Sequence, residues 1–214
     1  MLYNLHTHNY TANASVLEVV NRYPYEEIDV PYFSTGIHPW YIDESKVERH
    51  LAIIGQRLQM DNCLALGECG LDKRINMPLD LQQEVFEKQL LLAKKYNKPV
   101  ILHLVAAFQE LIAITDIIKP DVPMVVHGFS KNIQVVEQLL NKGFYLSFGK
   151  YLLRNPELSS VFAQVPEDRF FLETDTIEEG IEKVYEKAAE ARNIDIENLK
   201  NIVTNNFKTV FKNG

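Results

Sequence analysis

Short apolar runs of strand type alternate along this chain with longer segments in which apolar residues recur at helical spacing. The apolar runs predict seven strands, over residues 2–8, 31–37, 64–68, 99–103, 123–127, 144–148 and 169–175. The amphipathic segments predict helices over residues 43–58, 81–96, 106–118, 133–141, 178–192 and 196–212. Such alternation is typical of a parallel sheet whose strands are connected by helices.

The number of predicted strands is one fewer than the eight of a closed (β/α) barrel. The gap lies between residues 9 and 30, where residues 14–22 have the pattern of a short helix and Ile28–Val30 is interpreted as a remnant strand. No Gly-rich linker or change of composition marks a second domain. We therefore predict a trimmed, TIM-barrel-like α/β fold with seven clear strands and a shortened second-strand region, forming a single domain over residues 1–214.

Charge and composition restrict the classes of ligand. The chain carries a formal net charge of −7, so it has no general attraction for the polyphosphate backbone of nucleic acids. The two cysteines, Cys63 and Cys69, form no CxxC pair, which favours a reducing compartment. No long apolar stretch predicts a membrane span, and the first residues lack the pattern of a signal peptide. We expect a cytoplasmic protein without a membrane partner or a stable protein partner.

Residues that can bind metals follow the predicted strands. His6 and His8 are two residues apart on the first predicted strand. Because successive side chains of a strand point to opposite faces, these two point to the same side, about 7 Å apart. Five further donors lie at the ends of later runs: His38, Glu68, His103, His127 and Asp175. Each of these alone has an ordinary structural explanation. Because the carboxyl ends of strands in a parallel barrel meet at one mouth, their recurrence together favours a metal site.

The types of donor indicate which ions would bind. Imidazoles mixed with carboxylates suit zinc, manganese, cobalt, nickel or iron better than calcium or magnesium. Even six of these seven donors, four imidazoles and two carboxylates, are too many for one zinc ion that keeps an open position. They suit two ions roughly 3.5–4 Å apart with a bridging carboxylate, for which Glu68 is the natural candidate.

Specific motifs extend this interpretation over nearly the whole chain. They are Asn4-Leu5-His6-Thr7-His8, Gly36-Ile37-His38-Pro39, Gly67-Glu68-Cys69-Gly70-Leu71-Asp72, Pro99-Val100-Ile101-Leu102-His103, His127-Gly128-Phe129-Ser130 and Glu173-Thr174-Asp175. With these motifs the sequence resembles the TatD family of metal-dependent deoxyribonucleases, within the amidohydrolase superfamily. The resemblance implies a hydrolase that uses two divalent ions, from among zinc, manganese, magnesium, cobalt and nickel. The implied ligands are His6, His8 and Asp175 for one ion, His103 and His127 for the other, and Glu68 as the bridge.

The same resemblance implies roles in catalysis and substrate binding. Asp175 would orient or deprotonate the attacking water, and His38 would contact a substrate phosphate beside Glu68. Lys73 and Arg74 follow a strand end and are expected to bind the substrate. That substrate would be a DNA end, a short oligonucleotide or a small phosphodiester.

Three departures from the family pattern leave alternatives open. Asn4 replaces the usual Asp, Leu104-Val105-Ala106 replaces Ser-Arg-Asp after His103, and residues 176–178 replace a longer loop after Asp175. A positive side chain is thereby missing from the expected mouth. One alternative is a metallohydrolase for a lactone, an amide or an aminoacyl ester. The other is a metal-binding relic with little activity.

Overall fold

The computed structural model describes residues 1–211. Eight parallel strands are hydrogen-bonded to one another in chain order. They are β1 (Leu2–Thr7), β2 (Val16–Asn21), β3 (Phe33–Thr35), β4 (Cys63–Asp72), β5 (Val100–Val105), β6 (Met124–Val126), β7 (Tyr145–Phe148) and β8 (Phe170–Leu172). The helices are α1 (Val47–Arg57), α2 (Leu79–Tyr96), α3 (Phe108–Ile118), α4 (Ile133–Asn141), α5 (Lys150–Arg154), α6 (Pro156–Phe162), α7 (Ile181–Arg192) and α8 (Ile196–Val210). The end of the last predicted helix, at residue 212, lies outside the described residues.

The predicted count of seven strands is wrong, because the segment expected to be a short helix forms β2. This strand pairs in parallel with β1, with Leu2 opposite Val16. Its charged residue, Glu18, is buried and accepts hydrogen bonds from the backbone N–H and the hydroxyl of Thr11, at 3.0 and 3.1 Å. The connection after β1 therefore supplies the hydrogen bonds that the buried Glu18 carboxylate needs. In the sequence, this charged residue makes residues 14–22 resemble an amphipathic helix. Residues 28–30, interpreted as the remnant strand, are irregular.

The chain divides into two compact units, Met1–Val20 with Val125–Gly214, and Asn21–Met124. In the first unit, β6, β7 and β8 pair in sequence order, and Thr7 at the end of β1 bridges to Asp175 beyond β8. Aromatic rings fill the interior of this unit. The ring centroids of Phe162 and Phe170 lie 4.9 Å apart, and Phe207 stacks on Phe211 with centroids 4.6 Å apart.

In the second unit, β3, β4 and β5 pair side by side, and α1 and α2 cover them with buried residues such as Ile54 and Phe86. Strand β4 is longer than predicted, since it continues beyond Glu68 to Asp72. Strand β5 likewise continues beyond His103, to Val105. Glu68 and His103 therefore lie inside strands and not at their ends.

No helix among residues 1–211 combines the length and the apolar character that crossing a bilayer requires. The assignment of residues 1–214 to a single domain stays a prediction.

Candidate metal centre

Three predicted donors converge in the unit formed by residues 21–124. Glu68 Oε1 lies 3.2 Å from His38 Nε2 and 2.9 Å from His103 Nδ1. One donor atom from each of these residues lies within 4.8 Å of the others. All three side chains are largely shielded from solvent. A carboxylate and an imidazole at this separation can share a transition-metal ion, which makes Glu68 and His103 candidate ligands.

The backbone around Glu68 is fixed from two sides. Its N–H donates to Asn21 Oδ1 at 2.7 Å, at the end of β2. Gly70, two residues later, has a φ of +142°, and a Cβ there would lie 2.1 Å from the carbonyl oxygen of His103. The absence of a side chain at this position lets β4 and β5 approach closely. Burial and the nearby Glu68 carboxylate raise the pKa of Tyr23, so its hydroxyl stays protonated.

His38 owes its orientation to the short 3-10 helix Pro39–Tyr41, which it precedes. The backbone N–H of Trp40 donates to His38 Nδ1 at 3.1 Å. In a neutral imidazole the proton then resides on Nε2, the atom that faces Glu68. This arrangement makes His38 a hydrogen-bond donor toward Glu68 or toward an anionic ligand.

Asp72 is a member of this network whose role the sequence analysis missed. Its Oδ2 lies 3.2 Å from His103 Nε2 and accepts a 2.8 Å hydrogen bond from the indole N–H of Trp40. The backbone N–H of Arg74 donates to the other oxygen at 2.8 Å. Burial opposes ionisation, but these hydrogen bonds outweigh it and lower the pKa of Asp72. His103 is thus oriented by carboxylates at both of its ring nitrogens.

Three further donors lie together in the unit formed by residues 1–20 and 125–214. Asp175 Oδ1 is 3.6 Å from His8 Nε2 and 3.9 Å from His6 Nε2. The backbone holds this geometry, because the N–H of Asp175 donates to the carbonyl of His6 and the N–H of His8 donates to the carbonyl of Asp175. Asp175 itself has a φ of +55°. Donor atoms that share one ion at about 2.0–2.2 Å stand roughly 3–4 Å apart, so these separations fit a bound metal.

His127 lies in the same unit, with its ring centroid 4.5 Å from that of His6. Its Nδ1 is 3.3 Å from Glu173 Oε1, which also accepts a 2.7 Å hydrogen bond from the N–H of Gly128. Burial opposes ionisation of Glu173, but the interactions with His127, His6 and Ser147 together outweigh it and lower the pKa of the carboxyl group. Glu173 therefore orients His127, a role that the sequence analysis did not assign.

Asn4, which replaces the acid usual in the family, forms two hydrogen bonds with Thr174. Its amide donates to the Thr174 hydroxyl at 2.8 Å and accepts from the Thr174 N–H at 3.0 Å. An amide can make both bonds without carrying a charge. The substitution therefore keeps β1 attached to the segment that leads to Asp175.

The two residues expected to bind substrate have other contacts. Lys73 Nζ lies 2.6 Å from Glu110 Oε1, so its charge is neutralised locally. Arg74 is exposed, and its backbone N–H bonds to Asp72. The role of both side chains in substrate binding stays a prediction, as does the division of the six ligands between two ions.

Comparison with known proteins identifies the relatives of this chain. The family model described as TatD related DNase matches residues 2–212. A metal-dependent hydrolase of Bacillus subtilis, YabD, is 30% identical, with 87% of this chain and 80% of YabD aligned. A protein of Edwardsiella piscicida named 3'-5' ssDNA/RNA exonuclease TatD is 28% identical, with 95% of this chain and 85% of that protein aligned.

Solved structures show the same fold. The crystal structure of YjjV, a TatD homologue from Escherichia coli K12, has a TM-score of 0.82 at 22% identity, covering 99% of this chain and 98% of that one. A TatD family hydrolase from Entamoeba histolytica has a TM-score of 0.73 at 20% identity, covering 85% of this chain and 75% of its own. The predicted TIM-barrel-like α/β architecture is thereby confirmed, with eight strands in place of seven.

Proposed function

Because the chain belongs to the TatD-related DNase family, whose members include metal-dependent hydrolases, we propose that it hydrolyses phosphodiester bonds at DNA ends or in short oligonucleotides. The observation that supports this most directly is the convergence of His38, Glu68 and His103 on one small volume. The exonuclease named among its relatives acts on single-stranded DNA and RNA, which supports the same class of substrate.

We propose the ligands that the resemblance implies. They are His6, His8 and Asp175 for one ion, His103 and His127 for the other, and Glu68 as the bridge. The donor types fit transition-metal ions, and Asp72 and Glu173 hold the two imidazoles of the second set in place. When bound, such ions supply Lewis acidity, which acidifies water and stabilises negative charge on a reacting phosphate.

The chain's own side chains would perform the remaining steps. Asp175 is the carboxylate proposed to accept a proton from the attacking water, and the backbone bonds to β1 fix its position. The Nε2–H of His38 would donate to a phosphate oxygen, which favours the charge that develops there. The hydrogen bond from Trp40 keeps that proton on the correct nitrogen.

Metal quantification combined with a substrate comparison tests this proposal. The purified protein is analysed for bound metals and assayed with bis(p-nitrophenyl) phosphate, a lactone and a p-nitrophenyl carboxylic ester, with added manganese or zinc. We expect bound transition metal, and turnover of the diester that chelation abolishes and metal restores. Turnover of the lactone or the ester alone would instead support a hydrolase for non-phosphate bonds. Bound metal without turnover of any substrate would support the other alternative, a metal-binding protein with little activity.

A matched pair of variants assigns the activity to the site. Glu68→Gln removes a buried carboxylate from the cluster, whereas Glu84→Gln removes an exposed one from α2 in the same unit. We expect the first variant to lose metal-dependent turnover and the second to keep it. Equal activity in both variants would place the reaction elsewhere.

A further inference from the structure

A line of aromatic rings leads from solvent to His38. Tyr25, Tyr41 and Trp40 expose 61%, 48% and 53% of their surface. Tyr25 stacks on Tyr23 with ring centroids 5.6 Å apart, and Tyr23 contacts Tyr41 at 5.2 Å. His38 then lies 5.5 Å from Tyr41 and 5.2 Å from Trp40. We call Tyr23, Tyr25, Trp40 and Tyr41 the aromatic strip.

The segments that carry the aromatic strip are held in place before any ligand binds. The guanidinium of Arg57 donates to the carbonyl of Tyr23 at 2.8 Å and to the carbonyl of Glu26. Arg22 forms a 2.8 Å ion pair with Asp29 across the same segment. These contacts fix the backbone around Tyr23 and Tyr25, so little conformational entropy remains to be lost when a ligand stacks on the rings.

The Trp40 ring is fixed as well. Its indole N–H donates to Asp72 Oδ2 at 2.8 Å, and its ring meets the His38 imidazole edge-on, at 90°. About half of the residue nevertheless remains exposed. An indole that is anchored at its polar edge and open to solvent elsewhere is suited to stacking against a flat ligand.

We propose that the aromatic strip is a stacking surface for the bases of a single-stranded nucleic acid whose phosphate lies at His38. This inference rests on the proposed function and specifies its substrate as a strand with unpaired bases. A single exposed aromatic residue is ordinary in a protein surface, but a contiguous set that ends at the proposed phosphate-binding histidine is not. Aromatic rings bind unpaired bases irrespective of sequence, since every base has a π face.

The charge distribution favours stacking as the source of affinity. The chain has a net charge of −7, and Lys73, one of the two cations predicted to meet the substrate, is paired with Glu110. Neutralisation of phosphates therefore contributes little to binding. The logarithm of the binding constant should fall with the logarithm of salt concentration with a slope of only about −1, since single strands give roughly −0.7 per neutralised phosphate.

The sole tryptophan of the chain reports on this surface, because it is Trp40. Its fluorescence is followed while a phosphorothioate-linked oligothymidylate, which resists hydrolysis, is added. A strand of the same length and charge whose sugars carry no bases is the control. We expect saturable quenching by the oligothymidylate and none by the abasic strand. Equal responses to both strands, or no response to either, would overturn the inference.

Variants of Tyr25 separate ring stacking from general apolar contact. Tyr25→Leu keeps apolar surface but loses the aromatic face, whereas Tyr25→Phe keeps the ring. We expect Tyr25→Leu to weaken oligothymidylate binding by roughly 5- to 150-fold and Tyr25→Phe to bind nearly as the parent protein does. Ile117→Ala, which trims an exposed apolar residue of α3 in the same unit, should leave binding unchanged. Equal loss in the leucine and phenylalanine variants would exclude stacking on this ring.

Hydrolysis of bis(p-nitrophenyl) phosphate by the same variants distinguishes failure of this inference from failure of the proposed function. We expect Tyr25→Leu to raise KM for an oligonucleotide by a larger factor than it raises KM for this small diester, which carries no nucleobases. Turnover of the small diester without base-dependent quenching would contradict the stacking surface and support the hydrolase. Base-dependent quenching without turnover of any diester would support the stacking surface and contradict the proposed hydrolase activity.

Discussion

Asp72→Asn is the sharpest test of how the cluster around Glu68 is organised. The substitution keeps the size of the side chain and removes its charge. In the parent protein the carboxylate accepts from the Trp40 indole and from the Arg74 backbone, and faces His103 Nε2 at 3.2 Å. An amide has one acceptor oxygen in place of two, and its NH₂ group can only donate. At least one of the three partners, Trp40, Arg74 or His103, therefore loses its acceptor.

The expected magnitude follows from these contacts. A hydrogen bond to a charged group contributes about 1.5–3 kcal/mol and one to a neutral group about 0.5–1.5 kcal/mol, so the variant should lose about 1–3 kcal/mol of stability. For a chain of this size such a loss lowers Tm by several degrees. Loss of a group that orients a metal-binding histidine costs roughly 10- to 100-fold in metal affinity or activity. We therefore expect kcat/KM to fall by a factor of 10 to 100.

The assay measures diester hydrolysis as a function of manganese concentration, together with Tm. Asp61→Asn makes the same chemical change at an exposed position of the same unit and serves as the control. We expect Asp72→Asn to need more manganese for half-maximal activity, a shift that a general loss of stability would not produce. A variant with parent-like metal dependence and parent-like kcat/KM would refute the role of Asp72 in orienting His103.

Other positions give independent tests. Replacing both His6 and His8 by Ala should abolish metal-dependent hydrolysis and reduce the bound metal while the circular dichroism spectrum stays native; full residual turnover would exclude these ligands. Burial raises the pKa of the Cys63 thiol to about 12, so iodoacetamide at pH 8 should leave it unmodified until urea unfolds the protein, as mass spectrometry would show; rapid alkylation of the folded protein would contradict the burial. Gly70→Ala should lower soluble yield and Tm sharply, because its Cβ would lie 2.1 Å from the carbonyl oxygen of His103, and a parent-like Tm would contradict this close approach.

The period of the apolar residues was sufficient to predict most of the fold. Helices such as α4 and α8 have one apolar face, and their predicted positions agree closely with those in the structure. The failure at β2 has a definite cause: Glu18 interrupts the apolar residues 16–20 of the strand, and its partner, Thr11, lies in the preceding connection. Single-sequence periodicity counts Glu18 as a solvent-facing residue, because burial of its carboxylate depends on that tertiary contact.

The histidines of the proposed metal site are easier to recognise in the sequence than the acids that contact them. Histidines that follow apolar runs are visible in the sequence, and in the structure His38 and His103 lie close to Glu68. The sequence assigns no role to Glu173 and Asp72, because an acid in or near a strand has many ordinary uses. Only the distance of each from a histidine nitrogen gives it a role.

The spacing within β4 nevertheless contains the information needed to find Asp72. Side chains alternate along a strand, so residues 68, 70 and 72 share one face. Glycine at the middle position removes a side chain that would collide with the backbone of β5, where Gly70 pairs with His103. The imidazole can then lie between the two acids, with Nδ1 toward Glu68 and Nε2 toward Asp72. In this chain, the acids at positions 68 and 72 of β4 thus contact the two ring nitrogens of one histidine on β5.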